Sequence, residues 1–344
     1  MASQSNSPAT PIHVFYGEQS APLFRRMAGD FPLILPHAVI DEDCADESGW
    51  LVVCEPNVTA FTTRIPRSRR AICINEPSAM NDLPSGYVNQ FGLLISPYRM
   101  HGYRGAWFQT HTGLPWFFGA SLLSGRLTPT LSLRDLHDLA PPEKSNSVSV
   151  VVSRKVFHSG HRRRLRLLEL LKEKLGDRLQ IYGRGIREIQ DKAEAIMPSA
   201  LHLALENTIE PSYWTEKLSD AFLGYSLPVY SGCPDIHNWF AADSMLTVNP
   251  DDPEATCATI VTALDQQLYE QRLPAICKAR QKVLTQETAF HVISRAIRAQ
   301  ESQEPILKRA AMIQPPNRGQ LVDRVRREVR RVYYQLTFRS HLRK

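Results

Sequence analysis

No CxxC pair occurs in this 344-residue chain, although it carries six cysteines: Cys44, Cys54, Cys73, Cys233, Cys257 and Cys277. CxxC motifs mark structural zinc sites and redox dithiols, and neither is offered here. Several of the cysteines sit in apolar runs, where cysteine behaves as a small hydrophobe. They are read as reduced thiols of an intracellular protein. No apolar run reaches the length that spans a bilayer, and the opening "MASQSNSPATPIHVFYG" has no basic patch followed by an apolar stretch. The expectation is a cytoplasmic protein without spanning helix or cleavable leader. Internal repeats are also missing. "YGRGIRE" has two of the three glycines of a dinucleotide-binding turn, so the hydride-transfer fingerprint fails, and no GxSxG or cysteine-nucleophile motif is seen.

Hydrophobic residues make up 43% of the chain, enough for a packed core rather than disorder. Net charge is +6 and the sequence pI about 9.0. A basic balance suits nucleic acid, an anionic membrane or a phosphorylated ligand. Arginine is concentrated from Arg318 to Lys344.

Short apolar runs recur: "PIHVFYG", "WLVVCEP", "RAICINEP", "FGLLISP", then "SVSVVVS", "LQIYG", "ALHLALEN", "SLPVYSG" and "MLTVNP". Continuous rather than alternating apolarity suits strands of a parallel sheet covered on both faces. Helical patterns lie between the later runs. "HRRRLRLLELLKEKLGD" has leucines at 165, 168, 171 and 175, with Gly176 as its stop. Strands alternating with helices predict doubly wound α/β units. The polar, proline-bearing segment 126–147 links two such units, 1–135 and 146–305, and "QPPNRGQ" introduces a basic tail, 306–344. In the tail, Leu321, Val322, Val325, Val329 and Val332 recur at helical spacing with arginines on other faces, which suits either an anionic membrane surface or packing on protein.

The stretch "ENTIEPSYWTEKLSDAF", 206–222, follows the apolar run "ALHLAL" and enters a helix capped by Ser212 or Thr215. It brings Glu206, Asn207, Tyr213, Glu216 and Lys217 to one strand–loop–helix junction. Ligands of open α/β sheets bind outside the carboxyl ends of the strands, and a helix N-terminus favours an anion. Lys217 in the first turn opposes the helix dipole by itself, which an anion joining both would explain. Alternatively, Glu216 and Lys217 are solvated first-turn residues. Asp41-Glu42-Asp43 forms a D-x-D, but it is far in sequence from this junction, and the pair His158/His161 has no cysteine or carboxylate cluster beside it. No metal is expected.

From Leu205 to Pro234, "LENTIEPSYWTEKLSDAFLGYSLPVYSGCP" resembles the signature of the α1,3/1,4-fucosyltransferases, glycosyltransferase family 10, with a loop of the length found in bacterial members. Leu205 and Trp214 depart from the pattern. "SGHRRRLRLLELL" is similar to the family's arginine-bearing helix, with Arg164 in the best register and Arg162 and Arg163 also in reach. "LQIYGRG" resembles the strand and turn that follow, and "RRAICINEPSAM" the segment bearing the family's acidic residue, here Glu76. The resemblance covers most of residues 70–250.

What it implies is a GT-B fold: two Rossmann-like domains facing a cleft, here with a basic amphipathic C-terminal helix. The implied reaction is inverting transfer of L-fucose from GDP-β-L-fucose to a hydroxyl of an N-acetylglucosamine or glucose unit, with no cofactor beyond the donor. Glu76 is expected as general base, and Lys217 with Arg164 or Arg162 on the diphosphate. Asn207, Tyr213, Glu216 and the turn glycine Gly183 fall on the donor, with Tyr103 and Trp107 on the acceptor side. The buried look of "LPWFFGASLL" makes Trp116 and Phe117 structural. The acceptor is an oligosaccharide or lipid-linked glycan, such as lipopolysaccharide in assembly, with the enzyme peripheral on the inner membrane through its tail. No nucleic acid is expected, and a homodimer stays open. The alternatives are a GT-B transferase using another GDP-sugar, or a basic membrane-surface or glycan-binding protein without activity.

Overall fold

The apolar runs become strands, and pairing arranges them in two parallel sheets. The structure, a computed structural model, describes residues 10–17, 19–31, 34–38, 49–54, 61–111, 113–123, 126–152, 159–183, 185–301 and 311–313. The first unit has β1 (Ile12–Tyr16), α1 (Ala21–Met27), β2 (Ile34–Ala38), β3 (Trp50–Val53), β4 (Phe61–Thr63), β5 (Arg70–Cys73), α2 (Ser85–Val88), β6 (Leu93–Ser96) and β7 (Ala106–Gln109). Its sheet runs β2-β1-β3-β5-β6-β7, every pair parallel. Both faces are covered, as the continuous apolarity requires. Ile12, Val14 and Tyr16 of β1 enter one core, and Phe15 enters another with Leu51, Val53, Ile72 and Leu94.

A crossing segment follows, with the hairpin β8 (Ala120–Leu123) and β9 (Arg126–Pro129) and the helix α3 (Leu133–Asp138). The sequence reading took 126–147 as a plain link, but its first residues pair in this hairpin. The second unit comprises β10 (Ser145–Val151), α4 (Ser159–Leu175), β11 (Leu179–Tyr182), α5 (Ala193–Ile196), β12 (Ser199–Leu205), α6 (Glu216–Leu223), β13 (Leu227–Ser231), β14 (Leu246–Thr247), α7 (Pro253–Asp265) and α8 (Leu268–Thr285). Its sheet order is β11-β10-β12-β13-β14, again all parallel. The order reverses between β10 and β12, which makes their carboxyl ends a topological switch point. Leu167, Leu168, Leu171 and Leu175 of α4 are buried, and the side chain of Leu165 lies outside the described residues.

Helix α9 (Ala289–Glu301) lies within the span assigned to the second unit, yet it returns to the first. Phe290 meets Phe24 edge-on at 6.2 Å and Glu301 accepts a hydrogen bond from the Trp50 indole at 2.9 Å. Apolar burial on α1 outweighs chain order here. Strand β15 (Ala311–Ile313) pairs antiparallel with β4, so a piece of the expected tail also reaches the first unit. The rest of that tail lies outside the described residues. Among the described residues, no helix is long and apolar enough to cross a membrane, and Cys54, Cys73, Cys233, Cys257 and Cys277 are free thiols.

The crossing segment is held by side chains of opposite sign. Buried Arg26 of α1 donates to the carbonyls of Trp116 at 2.6 Å, Phe118 at 3.1 Å and Gly119 at 2.7 Å. Asp220 of α6 accepts the N–H groups of Phe117 and Phe118, both at 3.0 Å, and Asp191 accepts that of Gly119 at 3.0 Å. A buried carbonyl without a partner is costly, more so when the lost donor is charged. Arg26→Ala is expected to lower the unfolding free energy by about 3 kcal/mol, measured by urea denaturation. Arg26→Lys should recover only part of this, since an ammonium lacks the planar fork that reaches three carbonyls. A change within experimental error for Arg26→Ala would show that the segment does not depend on the clamp.

Candidate active site

Loops leaving the carboxyl ends of both sheets meet in one cleft. The Ser78 N–H, after β5, donates to Glu210 Oε2 at 3.1 Å, and Gln109 Nε2, at the end of β7, reaches Ser212 Oγ at 3.5 Å. On the second unit, a cavity of about 300 Å³ opens at the switch point. Val150 and Val151 of β10 and His202, Leu203 and Leu205 of β12 form its floor, with Asn207, Glu216 and Lys217 around it. The junction singled out in the sequence therefore does border a cavity.

Its geometry is set from within. Glu206 directly follows β12, with its side chain fully buried. It accepts the Thr215 N–H at 2.8 Å, the Thr215 hydroxyl at 2.8 Å and the Lys217 ammonium at 3.1 Å. Thr215 is the N-cap of α6, its Oγ1 accepting the Lys217 N–H at 3.4 Å, so of the two cap candidates Thr215 serves. Ser212 instead takes a left-handed φ of 59°. Asp235 holds it there, accepting its N–H at 2.7 Å. The anion that offsets Lys217 against the helix dipole is thus an internal carboxylate, Glu206. Lys217 also faces Glu216 at 3.6 Å and still lines the cavity.

Glu216 lies between two lysines, Lys217 and Lys192, the latter at 3.8 Å. Burial, the largest influence, would raise its carboxyl, but Lys217, Lys192 and the hydrogen bonds from Thr215 and the backbone together hold it below the usual range. Lys192 lines the cavity too, 2.6 Å from Asp220 and with its ammonium 4.9 Å above the Phe117 ring. Phe117, read from the sequence as structural, is half-buried and lines the cavity, whereas Trp116 is buried as expected. His202 is buried in the floor with Nδ1 2.8 Å from Ser149 Oγ. Burial first, then Lys192 and Lys144, push it down to about 3, so it is neutral.

Glu76 comes to the same cleft from the first unit. Its own surface is open to solvent, yet the surrounding walls withhold enough water to raise its carboxyl. Lys217 pulls that carboxyl down and Glu216 pushes it up, so Glu76 lies within electrostatic reach of both. Tyr213 is buried beneath the loop. Its phenol is pushed up by burial and then by Glu206, Glu76 and Glu216, which puts it amid the same carboxylates.

The remaining expectations scatter. Arg162 and Arg164 lie on the early turns of α4, immediately after β10, but their side chains are outside the described residues, as are Asp41–Asp43 and His158. Gly183 has φ 143°, and a Cβ there would stand 2.0 Å from the Val152 carbonyl. The glycine is thus required by its approach to the end of β10. Tyr103 does not reach the cleft. It precedes β7, at the amino ends of the strands, with its ring buried and its hydroxyl donating to the Phe91 carbonyl at 3.3 Å. Trp107 packs against the second core and donates to Ser96 O at 3.2 Å. Tyr98, after the carboxyl end of β6, is the aromatic beside Glu76, donating to its carbonyl at 3.1 Å. Sequence reasoning missed Lys192 and Asp220. The only signal for Asp220 was its i, i+4 spacing from Glu216 on one helix.

Two Rossmann-like units whose carboxyl strand ends face one cleft define the GT-B architecture. Residues 141–291 match the family described as glycosyltransferase family 10 (fucosyltransferase) C-term. That match spans the second unit, where the junction and the cavity lie. A 69-residue stretch is 38% identical to GDP-fucose protein O-fucosyltransferase 3 of Danio rerio, spanning 20% of this chain and only 15% of that relative's length. Among solved structures, an α1,3-fucosyltransferase with GDP-fucose is 16% identical, covering 85% of this chain and 94% of that one at a TM-score of 0.44. A glycosyltransferase from Rickettsia africae is 11% identical, covering 85% and 98% at 0.48. The fold assignment rests on the two sheets themselves.

The loop under the cavity is braced by a buried pair. Trp214 stacks on His111 at 3.9 Å, and His111 Nε2 lies 2.9 Å from Glu287, which also meets Arg295 at 2.6 Å. The Gly113 N–H donates to His111 Nδ1 at 3.1 Å, so the ring's single proton is on Nε2. Burial lowers His111 from 6.5, and Glu287, though burial opposes it, is held below 4.5 by His111 and Arg295. Both groups bind protons more readily unfolded. Stability is therefore expected to fall as pH drops below 6.5 through His111, and again below 4.5 through Glu287, with slopes up to about 1.4 kcal/mol per pH unit per group. Urea midpoints from pH 8 to 4 measure this. His111→Gln should flatten the limb between pH 7 and 5, and an unchanged limb would remove His111 from the account.

Proposed function

We propose that this protein transfers L-fucose from GDP-β-L-fucose to a hydroxyl of an N-acetylglucosamine or glucose unit in an oligosaccharide, with inversion. The observation that carries the reading is the placement of Glu76, from one unit, within electrostatic reach of Lys217 and Glu216, from the other. The family of the C-terminal unit supports the donor.

Single-displacement inversion needs a base on the acceptor and charge stabilisation on the departing diphosphate. Glu76 serves as base. Its raised carboxyl is a better proton acceptor when ionised than a fully solvated one, and its open surface admits an acceptor hydroxyl. Lys217 and the amino end of α6 supply positive potential, and Arg162 or Arg164 adds a fork suited to phosphate oxygens. Glu216, kept ionised, takes hydroxyls of the sugar. Asn207 and Tyr213 shape the donor site. Tyr98, beside Glu76, borders the acceptor path. The acceptor is an oligosaccharide or lipid-linked glycan, with the basic C-terminal segment as the membrane contact.

Lys217→Ala is a poor test, because it strands the buried Glu206 carboxylate. Among the described residues Glu76 has no such partner to strand through its carboxylate, and Glu76→Gln keeps the shape. This variant is expected to bind GDP as wild type does while kcat for fucose transfer falls at least about 10²-fold. Calorimetry with GDP and a transfer assay on one preparation decide it. A parallel collapse of GDP affinity, or retained transfer, overturns the assignment of Glu76 as base.

A further inference from the structure

Lys192 belongs to no motif, yet it stands where three parts of the molecule meet. Its ammonium is 2.6 Å from Asp220 and 3.8 Å from Glu216, two carboxylates one helical turn apart on α6. Asp220 is almost fully buried, at 1% exposure of its side chain, and its other oxygen accepts the N–H groups of Phe117 and Phe118. Lys192 is itself only 22% exposed and lies over the Phe117 ring. Next to it, Asp191 accepts the Gly119 N–H and, at 2.6 Å, the Thr130 hydroxyl. A single ammonium therefore joins a carboxylate of the cavity wall to the carboxylate that clamps the crossing segment.

We infer that Lys192 is a positioning residue of the donor site: with Lys217 it brackets the Glu216 carboxylate against the cavity, and it ties that geometry, through Asp220, to the segment that joins the two units. The inference rests on the fucosyl-transfer reading for its consequence in catalysis, though not for its electrostatics. Glu216 is faced by Lys217 and Thr215 from its own turn, Lys192 from the start of α5, Asp220 one turn on, Tyr213 from the loop and Glu76 across the cleft. Lys217, at 3.6 Å the nearer cation to Glu216, is shared with the fully buried Glu206, and Lys192, at 3.8 Å, is the cation that Glu216 and Asp220 divide between them. A lysine that merely filled space would affect stability alone. One that sets Glu216 must move its titration.

The test uses the full chain. Carboxyl carbon NMR follows the Glu216 signal, assigned by its disappearance in Glu216→Gln. Lys192→Met is expected to raise the Glu216 titration by about one pH unit, the size of effect of an opposite charge within a few ångström, and Lys192→Arg to restore it. In transfer assays of Lys192→Met, GDP affinity should change less than about threefold because Lys217 and the α6 amino end remain. Lys192→Met leaves Asp220 unpaired, so the comparison is repeated as Lys192→Met/Asp220→Asn against Asp220→Asn, where the asparagine carbonyl still accepts the two N–H groups. A Glu216 titration unmoved by removal of Lys192 in either background overturns the inference. Should the wild-type protein bind or transfer no fucose while the titration moves as expected, the functional reading fails and the role of Lys192 stands.

Discussion

Asp220 is the group on which the arrangement of the two units turns. Residues 116–119 lie between β7 and the hairpin β8–β9, and side chains meet most of their N–H and C=O groups, with the Thr130 and Leu131 N–H groups also on the Gly119 carbonyl. Arg26, from the first unit, takes the carbonyls of Trp116, Phe118 and Gly119. Asp220 and Asp191, from the second, take the N–H groups of Phe117, Phe118 and Gly119. The peptide dipoles are gripped at both ends by charges of matching sign. This anchors the segment to both units at once, and α9 returning onto α1 adds a second, apolar tie.

The same principle shapes the cavity. Its cations are balanced inside the protein before any ligand arrives: Lys217 by Glu206 and Glu216, Lys192 by Asp220 and Glu216. Two lysines and three carboxylates leave the wall close to neutral or slightly negative. An anion at this wall would therefore find little uncompensated charge on these side chains and would rely on the helix terminus. The internal carboxylates serve geometry instead. Glu206 fixes the Thr215 cap and the Lys217 ammonium in one frame, and a preorganised donor costs little reorganisation when charge develops.

Much of this was legible because it is local. The apolar runs "WLVVCEP" and "ALHLALEN" mark strands covered on both faces, and β3 and β12 are buried throughout. Asn207, Glu216 and Lys217 lie on one strand–loop–helix junction, and all three line the cavity. What depends on long-range pairing was not legible. Nothing in "QDKAEA" says that Lys192 reaches an aspartate 28 residues on, and nothing in "LPWFFG" separates the cavity-facing Phe117 from the buried Trp116 and Phe118. Tyr103 was expected on the acceptor side, but the fold puts it at the amino ends of the strands with its hydroxyl satisfied. The lysine opposing the helix dipole suggested an external anion. The sequence could not tell an external anion from Glu206, which sits eleven residues away along the chain and 3.1 Å away in space.

Two carboxylates in one cleft can play different parts only if their surroundings separate them. Glu216 is enclosed, with two lysines within 4 Å, and is held ionised below the ordinary range. Glu76 lacks an ion-pair partner at such distance among the described residues, and partial desolvation with the nearby charge of Glu216 raises it. A carboxylate locked between ammonium groups is a weak proton acceptor and a firm hydrogen-bond acceptor, fitted to hold hydroxyls. One that is raised and open to solvent is fitted to take a proton. The ionised state of Glu216 thus contributes twice, directly to the wall and, across the cleft, to the basicity of Glu76. Since Glu216 owes that state in part to lysines from two places in the second unit, the fold of the second unit adjusts the carboxyl of a residue in the first, on top of the larger effects of burial and of Lys217.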